Sequence, residues 1–331
     1  MNLPQKIQRW LLHDVVSLAR SRGLPNDYLP NLLNLRKSAW YNRMNCTKLL
    51  SLEEVAVLAR TFDLNLNKYF LDNTNRVEVS FPFLESKVAS GRIFVEELAG
   101  RLAMISRWPG VELLYITSEM PIFNYFRYTE LALFKLYVFG RTVWGIPEMR
   151  ELPFSLTRNR DPKTESLFEQ INNAYISLPG TEIWNTKFLD NTLGQIKYFA
   201  QGRLFENNED AAIILEQLSL VLKEIESAAQ AGHKMYKNGE KGGKFGLYHN
   251  EIIHTNNLIM IRSDKEKLLV STYDNPDFFE SKDERLWDYS FHWLTNLKER
   301  AQLISEQSER NRRKFFKANM RKINQVKAFV L

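Results

Sequence analysis

The sequence predicts a multidomain protein, with an all-α domain over residues 1–76 followed by a mixed α/β (α+β) domain over residues 77–331. A chain of 331 residues is too long for one small hydrophobic core, so we expect an internal boundary. Up to residue 71 the apolar residues recur at helical spacing, whereas apolar runs of β type begin after the Asn73-Thr74-Asn75 segment. This change of pattern places the boundary near residue 76.

The N-terminal domain is predicted to be a bundle of about five helices. The first helix is indicated by an apolar repeat of three and four residues, which Gly23 and Pro25 bring to an end. The clearest helix start follows Ser51, because Ser51 and Glu54 have the spacing of a capping box. The predicted segments are residues 5–21, 28–33 and 37–44, the helix that starts after Ser51, and residues 67–71.

The helix predicted over residues 37–44 has two unlike faces. Trp40 and Met44 are four residues apart and are expected to pack in the core. Side chains on the other face are of the types that bond phosphates and base edges in a major groove, where Asn pairs with adenine and Lys or Arg with guanine. The residues predicted to contact DNA on and beside this face are Arg36, Lys37, Ser38, Tyr41, Asn42, Asn45 and Lys48.

The segment LLNLRKSAWYNRMNCTKLLSLEEVAVLARTFDLNLNKYF resembles the DNA-binding unit of lambda-repressor-like, Xre-type bacterial regulators. The pattern of that family runs S-x-x-x-V-Y-R-R-[IL]-x-G and continues with L-S-x-E-E. Tyr41 and Arg43 match its Y-R-R core, and Ser51, Glu53 and Glu54 match its capped helix. The resemblance implies a helix-turn-helix fold for residues 1–76 and binding of double-stranded DNA.

This sequence departs from the family pattern at three positions. Asn42 replaces the first Arg of the pair, Cys46 stands where the pattern has a Gly that ends the helix, and Pro30 interrupts the supporting helix. Because Asn tolerates a positive φ, we expect Asn45 to take the left-handed conformation in place of the missing Gly.

The C-terminal domain is predicted to mix helices and strands. The apolar run Val111–Ile116 indicates a buried strand, and Pro121–Gly140 is apolar on all sides and is expected to form a core helix. Two further helices and an antiparallel meander of three strands are predicted. The helices cover residues 181–202 and 210–232, the meander covers residues 245–253, 256–264 and 267–274, and a basic amphipathic helix covers residues 293–326.

Four of these segments also resemble a known group of proteins. They are EMPIFNYFRYTELALFKLYVF, EIWNTKFLDNTLGQIKYFAQGRLF, FGLYHNEIIHTNNLIMI and LISEQSERNRRKFFKANMRKI. They are similar to successive segments of the large C-terminal domain that follows such a helix-turn-helix in a group of bacterial transcriptional regulators. The resemblance implies a regulatory domain and brings with it no ligand or activity.

Composition and charge narrow the function classes. Apolar residues make up 44% of the chain, which indicates folded domains, and the single cysteine, Cys46, excludes an internal disulfide and favours a reducing compartment. The N-terminus carries recurrent charges and no stretch approaches 18 uncharged apolar residues, so we expect a cytoplasmic protein without a membrane anchor.

The formal net charge is +6, and residues 1–78 hold 11 Lys and Arg against 7 Asp and Glu. Residues 296–331 hold 10 against 3, so basic charge lies at both ends of the sequence and permits a polyanionic partner.

No arrangement in the sequence indicates a catalytic or metal site. His249 and His254 would project from opposite faces of a strand, so they are not expected to bind a metal together. The segment Asn238–Gly246 is rich in Gly but lacks the residue order of a phosphate-binding loop, and we expect it to be a flexible loop. We therefore predict no cofactor and no enzymatic activity.

The basic tail is expected to be an amphipathic helix that needs a cover for its apolar stripe. If a second chain supplies the cover, the tail makes a homodimer; if the same domain does, Pro121–Gly140 is the next candidate interface. The stripe consists of Phe315, Phe316, Met320 and Ile323. The basic residues beside it, which we expect to be solvated rather than bound to phosphate, are Arg310, Arg312, Arg313, Lys314 and Lys317.

The favoured function is that of a cytoplasmic, DNA-binding transcriptional regulator that acts as a homodimer. Its helix-turn-helix is expected to read the major groove, and its second domain to mediate dimerisation or to sense a small-molecule effector. One alternative is a protein-interaction module whose degenerate helix-turn-helix no longer binds DNA. A third reading is an enzyme with its site in the second domain, which a deep polar pocket of convergent titratable groups would favour.

Overall fold

The computed structural model describes residues 1–70, 75–82, 90–251 and 257–330, with the side chain of residue 208 excepted. The chain divides into two compact units, Met1–Arg76 (unit 1) and Val77–Leu331 (unit 2). Within the described ranges, every helix is too short or too polar to cross a lipid bilayer. Mixed α and β structure is found, as the sequence predicts, and the strands lie in unit 2.

The described part of unit 1 is built from short helices. Two of its helices begin with a capping box. Asn2 and Gln5 form the box at the start of the first helix, and Ser51 and Glu54 form the box at the start of the fourth. The sequence predicts the box at Ser51. Leu11, Val15 and Leu58 lie at the centre of the core that these helices share. The helices are α1 (Leu3–Ser21), α2 (Tyr28–Leu32), α3 (Lys37–Met44), α4 (Leu52–Phe62) and α5 (Asn67–Phe70).

The end of α3 corrects one expectation. Asn45 has φ −85°, and Cys46, at the position of the family's Gly, has φ +56°. Cys46 N donates to Arg43 O at 3.0 Å and Thr47 N donates to Asn42 O at 3.0 Å, which is the pattern of a Schellman motif. Cys46 is also buried, and its Sγ donates to Gln5 O at 3.5 Å. These contacts stabilise Cys46 in the left-handed region although it carries a Cβ. The prediction that Asn45 takes this conformation was therefore wrong.

Unit 2 contains one mixed sheet with the strand order β3-β4-β2-β1-β5-β6-β7, and β8 pairs with β4. β1, β2 and β4 are parallel to one another, whereas β5, β6 and β7 follow β1 as an antiparallel meander. The strands are β1 (Glu112–Thr117), β2 (Gly180–Trp184), β3 (His233–Met235), β4 (Lys241–His249), β5 (Leu258–Arg262), β6 (Lys267–Thr272), β7 (Phe278–Ser281) and β8 (Gln302–Leu303).

Two strand predictions were wrong. Residues 181–184 belong to the central strand β2, although residues 181–202 were predicted to be one helix. The strand is only five residues long and buried on both faces, so it shows no alternation that would separate it from a helix. The run in β4 was assigned to the meander, but β4 pairs with β2 in parallel and is not adjacent to β5.

The helices of unit 2 cover the sheet. Residues 131–140 of α8 are buried on all sides, as the sequence predicts for a core helix, although Pro121–Gly140 forms two helices rather than one. The helices are α6 (Gly91–Ile105), α7 (Ile122–Tyr125), α8 (Thr129–Thr142), α9 (Pro147–Glu151), α10 (Pro162–Ser177), α11 (Asp190–Gln201), α12 (Asn208–Ala231), α13 (Glu284–Glu299) and α14 (Glu309–Val330).

The apolar stripe of the tail is covered within unit 2. α14 packs against α11 and α12, and the Phe315 ring stacks on Phe188 at a centroid distance of 5.5 Å. Phe316 and Ile323 lie in the same core. A second chain is therefore not needed to cover the stripe, and the core position of α8 removes the other candidate interface. The single tail helix predicted over residues 293–326 is in fact α13, β8 and α14.

Candidate nucleic-acid interface

A buried glutamine, Gln8, forms hydrogen bonds that hold the core-facing side of α3 in position. Gln8 projects from the apolar face of α1, and its Nε2 donates to Arg43 O at 2.7 Å and to Lys48 O at 3.0 Å. Its Oε1 accepts from Leu50 N at 2.6 Å. One side chain thus joins the first helix to the end of α3 and to the loop that follows. Sequence analysis missed this residue, although a polar residue three positions before Leu11 on a core-facing stripe is a signal for a buried hydrogen bond.

Arg43 supports α3 from the same side and is not available to DNA. Its Nε and Nη2 donate to the two carboxylate oxygens of Glu54 at 3.0 and 2.9 Å. Glu54 also accepts from Ser51 N at 2.7 Å, so the α4 cap and the α3 anchor share one carboxylate. Burial acts to raise the pKa of Glu54, but the bonds from Arg43 and Ser51 outweigh it and hold this pKa below its usual range.

Trp40 and Met44 face the unit 1 core, as the sequence predicts, but both are only half-buried. α3 is therefore a short helix with little apolar burial of its own. The buried hydrogen bonds of Gln8 and Arg43 compensate, because polar groups bonded away from water fix a helix in one position and orientation.

The seven residues predicted to contact DNA are all exposed around α3. Tyr41 is 68% exposed, so its ring and hydroxyl are accessible to a partner. The Asn42 side-chain oxygen accepts from the Thr47 hydroxyl at 3.3 Å, which orients the amide. The set is Arg36, Lys37, Ser38, Tyr41, Asn42, Asn45 and Lys48, and we call it the α3 face.

The α3 face carries positive charge that is not neutralised by ion pairs among the described residues. Residues 28–52 contain no Asp or Glu. Among the described residues, no carboxylate forms an ion pair with Arg36, Lys37 or Lys48. The face therefore presents three cations and several amide and hydroxyl groups on a rigid helix. Such a surface is chemically suited to phosphates and base edges.

Unit 2 holds a buried polar cluster that the sequence did not reveal. Glu182 is 0% exposed and accepts from the Tyr175 hydroxyl at 2.6 Å and from Trp184 Nε1 at 3.0 Å. Lys234 Nζ lies 3.5 Å from Glu182 Oε1. Burial lowers the pKa of Lys234 to about 8, while Glu182 opposes this shift. Glu182 was missed because it lies in the strand that was predicted to be helical.

This cluster is the type of feature that would favour an enzyme, but its charges are satisfied. The adjoining cavity of about 50 Å³ has space for only a few water molecules. On its other side Arg127 Nε donates to Glu224 at 2.7 Å. The Asn124 amide nitrogen, which has no hydrogen-bond partner among the described residues, lines this cavity and is suited to a bound water. The described contacts thus pair the charged groups of this cluster with one another.

Two other sequence features have structural explanations. His249 Nε2 is hydrogen-bonded to the Thr186 hydroxyl at 2.5 Å, and His254 lies outside the described residues. No group of three potential metal ligands occurs in the described ranges. Most of the Gly-rich segment is β4 rather than a flexible loop. A Cβ on Gly242 or Gly243 would lie 2.4 Å from backbone atoms at the C-terminal end of α10 or just after it. These glycines allow close packing.

Comparison with known proteins returns no relative: this chain matches no family model, no curated protein and no solved structure.

Proposed function

We propose that unit 1 is a helix-turn-helix domain that binds duplex DNA through the α3 face, and that the protein is a cytoplasmic transcriptional regulator. The observation that carries the proposal is the combination of exposed, unneutralised cations with a helix clamped from behind by Gln8 and Arg43. A helix that is already fixed in position loses little backbone entropy on binding, so less of its contact energy is offset by ordering.

The α3 face divides into two kinds of contact. Arg36, Lys37 and Lys48 flank the helix and are suited to backbone phosphates, which supply affinity that does not depend on base sequence. Ser38, Tyr41, Asn42 and Asn45 project from the helix and its end and are suited to base edges. Tyr41 offers its hydroxyl to a base edge or phosphate and its ring to a thymine methyl.

One α3 helix has eight residues and is about 12 Å long, so it covers only a few base pairs. We propose that two copies bind together on a palindromic site, with α3 helices in successive major grooves about 34–36 Å apart. The tail stripe does not mediate this pairing, because it is buried within unit 2.

The test is to incubate the purified protein with fragmented genomic DNA of its source organism and to sequence the retained fragments. The proposal predicts an enriched palindrome that is lost in the Tyr41→Ala, Asn42→Ala double variant. Tyr198→Ala is the matched control, because Tyr198 is 65% exposed but lies in unit 2, and it should retain the palindrome.

The competing function is protein contact through the same face, which the exposed Tyr41 also favours, since Tyr is enriched at protein interfaces. In that case no DNA sequence would be enriched, and binding to DNA would be as weak in the parent protein as in the double variant. That result would overturn the DNA proposal.

A further inference from the structure

Unit 2 contains an apolar cavity, partly open to solvent, between α6 and one face of the sheet. Its volume is about 170 Å³. Phe94 and Leu98 of α6 form one wall, and Tyr115, Ile259 and Leu268 of the sheet form the other. It differs from the cavity beside Lys234 in size, about 170 Å³ against about 50 Å³, and most of its lining is aliphatic or aromatic.

The polar groups at the edge of the cavity are already engaged with one another. Arg101 Nη1 is 2.5 Å from Glu280 Oε2, and its Nε donates to Glu97 at 2.7 Å. At another part of the wall, Asn275 Nδ2 donates to Glu119 Oε2 at 2.6 Å, and the Thr272 hydroxyl accepts from the Asn257 backbone. These groups do not need a charged ligand to satisfy them. Lys282 also lines the cavity and forms no described ion pair, but it is exposed to solvent, so a charged ligand inside the cavity would lose water without gaining a buried partner.

The size of the cavity indicates the size of the ligand. An engineered apolar cavity of about 150 Å³ in another protein stays dry and binds benzene. A cavity of about 170 Å³ with a similar lining therefore accommodates a molecule of one ring or of two small fused rings. Phe94, Tyr115 and Phe123 supply ring faces and edges to this lining, and aromatic pairs gain from such geometry beyond the area they bury.

We propose that this cavity is a binding site for a small, uncharged aromatic molecule, between benzene and indole in size. The inference concerns unit 2 alone, so it stands or falls independently of DNA binding by unit 1. If both hold, the site is where an effector enters the regulatory unit.

Indole is the probe, and binding to the full-length protein is measured by the ligand-induced rise in melting temperature and by calorimetric titration. Ile259→Phe fills the cavity and should weaken indole binding by at least about tenfold. Ile93→Phe is the matched control: the same change is made on α6, but Ile93 is exposed and is not part of the lining, so affinity should stay at the parent value.

Val270→Ile is a milder second variant that keeps the test informative if Ile259→Phe does not fold. It adds one methylene group to the lining and should give an intermediate affinity. Indole-3-carboxylate should bind less tightly than indole, since the apolar lining would remove water from its charge and Lys282, the lining cation without a described ion pair, is exposed to solvent. The proposal is overturned if indole does not bind the parent protein. It is equally overturned if indole binds Ile259→Phe and Val270→Ile as tightly as the parent, or if the carboxylate binds more tightly than indole.

Discussion

Two basic segments of this chain look alike in sequence and differ in structure: the region of α3 and the tail helix α14. Residues 296–331 carry the larger excess of basic residues. In the structure, four basic residues of α14 form hydrogen bonds or ion pairs within unit 2. Arg312 is buried and donates to Glu306 O at 2.7 Å, while the ion pairs are Arg313 with Glu309, Lys322 with Asp190, and Lys327 with Glu216.

The α3 region has fewer basic residues, but three of them face solvent without a described carboxylate partner. A nearby opposite charge cancels most of the field of a cation beyond a few ångströms, and salt screens the remainder. The comparison therefore teaches that the net charge of a segment does not locate a polyanion site. Arg310, Lys314, Lys317 and Arg321 of α14 are also exposed and form no ion pair among the described residues, so the α3 face is distinguished by the exposed Ser, Tyr and Asn side chains that lie beside its cations.

The largest effect is expected from the apolar side of α14. Phe316 is 1% exposed, so Phe316→Ala should lower the free energy of unfolding by about 3–5 kcal/mol. Phe329, on the same helix, is 51% exposed, and Phe329→Ala should cost less than about 1 kcal/mol. Urea denaturation followed by circular dichroism measures both. Equal costs would show that α14 does not pack as described.

Deletion of residues 308–331 extends this test. It removes Phe315, Phe316 and Ile323 from the core at once, and the loss is comparable with the whole stability of an ordinary domain. We expect an unfolded or aggregated unit 2 in light scattering. A folded, monodisperse product would instead restore the tail as a separable dimerisation element.

The next largest effect on stability is expected at the ion pair between Arg43 and Glu54, which holds the core-facing side of α3. Arg43→Met leaves Glu54 without its buried partner and should destabilise unit 1 by about 3–5 kcal/mol. Hydrogen exchange of peptides from α3 and α4 should accelerate accordingly. Arg60→Met is the control, because Arg60 is exposed on α4, and exchange there should stay near the parent rate.

The same pair predicts a dependence on pH. The folded-state pKa of Glu54 lies below its unfolded value of about 4.3, so its contribution is fully present at neutral pH. That contribution is lost as the pH falls through the unfolded value toward the lowered folded one. Exchange protection of α3 should decline over this acidic range in the parent. Glu54→Gln should be less protected at neutral pH and should lack this part of the decline.

A smaller effect, on DNA affinity, is expected on the exposed side of α3. Tyr41→Ala and Asn42→Ala should each weaken specific DNA binding by about 1–3 kcal/mol where a base contact is lost. Both side chains are exposed, so the melting temperature should change little. Fluorescence anisotropy with the enriched site measures the affinity. Unchanged affinity in both variants would remove base readout from this face.

Local signals in the sequence predicted the elements of unit 1 well. The bounds of α3 and the capped start at Ser51 follow from apolar period and capping chemistry, which are properties of neighbouring residues. The strand β2 and the buried Glu182 could not be predicted in this way, because a short strand buried on both faces is defined by partners that are distant in the sequence.

The candidate site shows the same limit. The exposed face of α3 could be predicted from helical period, whereas the roles of Gln8, Arg43 and Cys46 depend on contacts between α1, α3 and α4. The tail was the opposite case: its amphipathic pattern was correct, but the pattern carries no information on whether its own unit or a second chain covers the stripe.

The central claim is that DNA meets the α3 face and not the tail, and the salt dependence of DNA affinity tests it most directly. Each phosphate contact contributes about 0.9 to the slope of log K against log salt concentration. Because two copies are proposed to bind one site, Arg36→Ala, Lys37→Ala removes four phosphate contacts and should reduce the magnitude of the slope by about 3.6. Lys314→Ala, Lys317→Ala removes the same charge from exposed positions of α14 and should leave the slope unchanged. A reduction in the tail variant equal to or larger than that in the α3 variant would contradict the account.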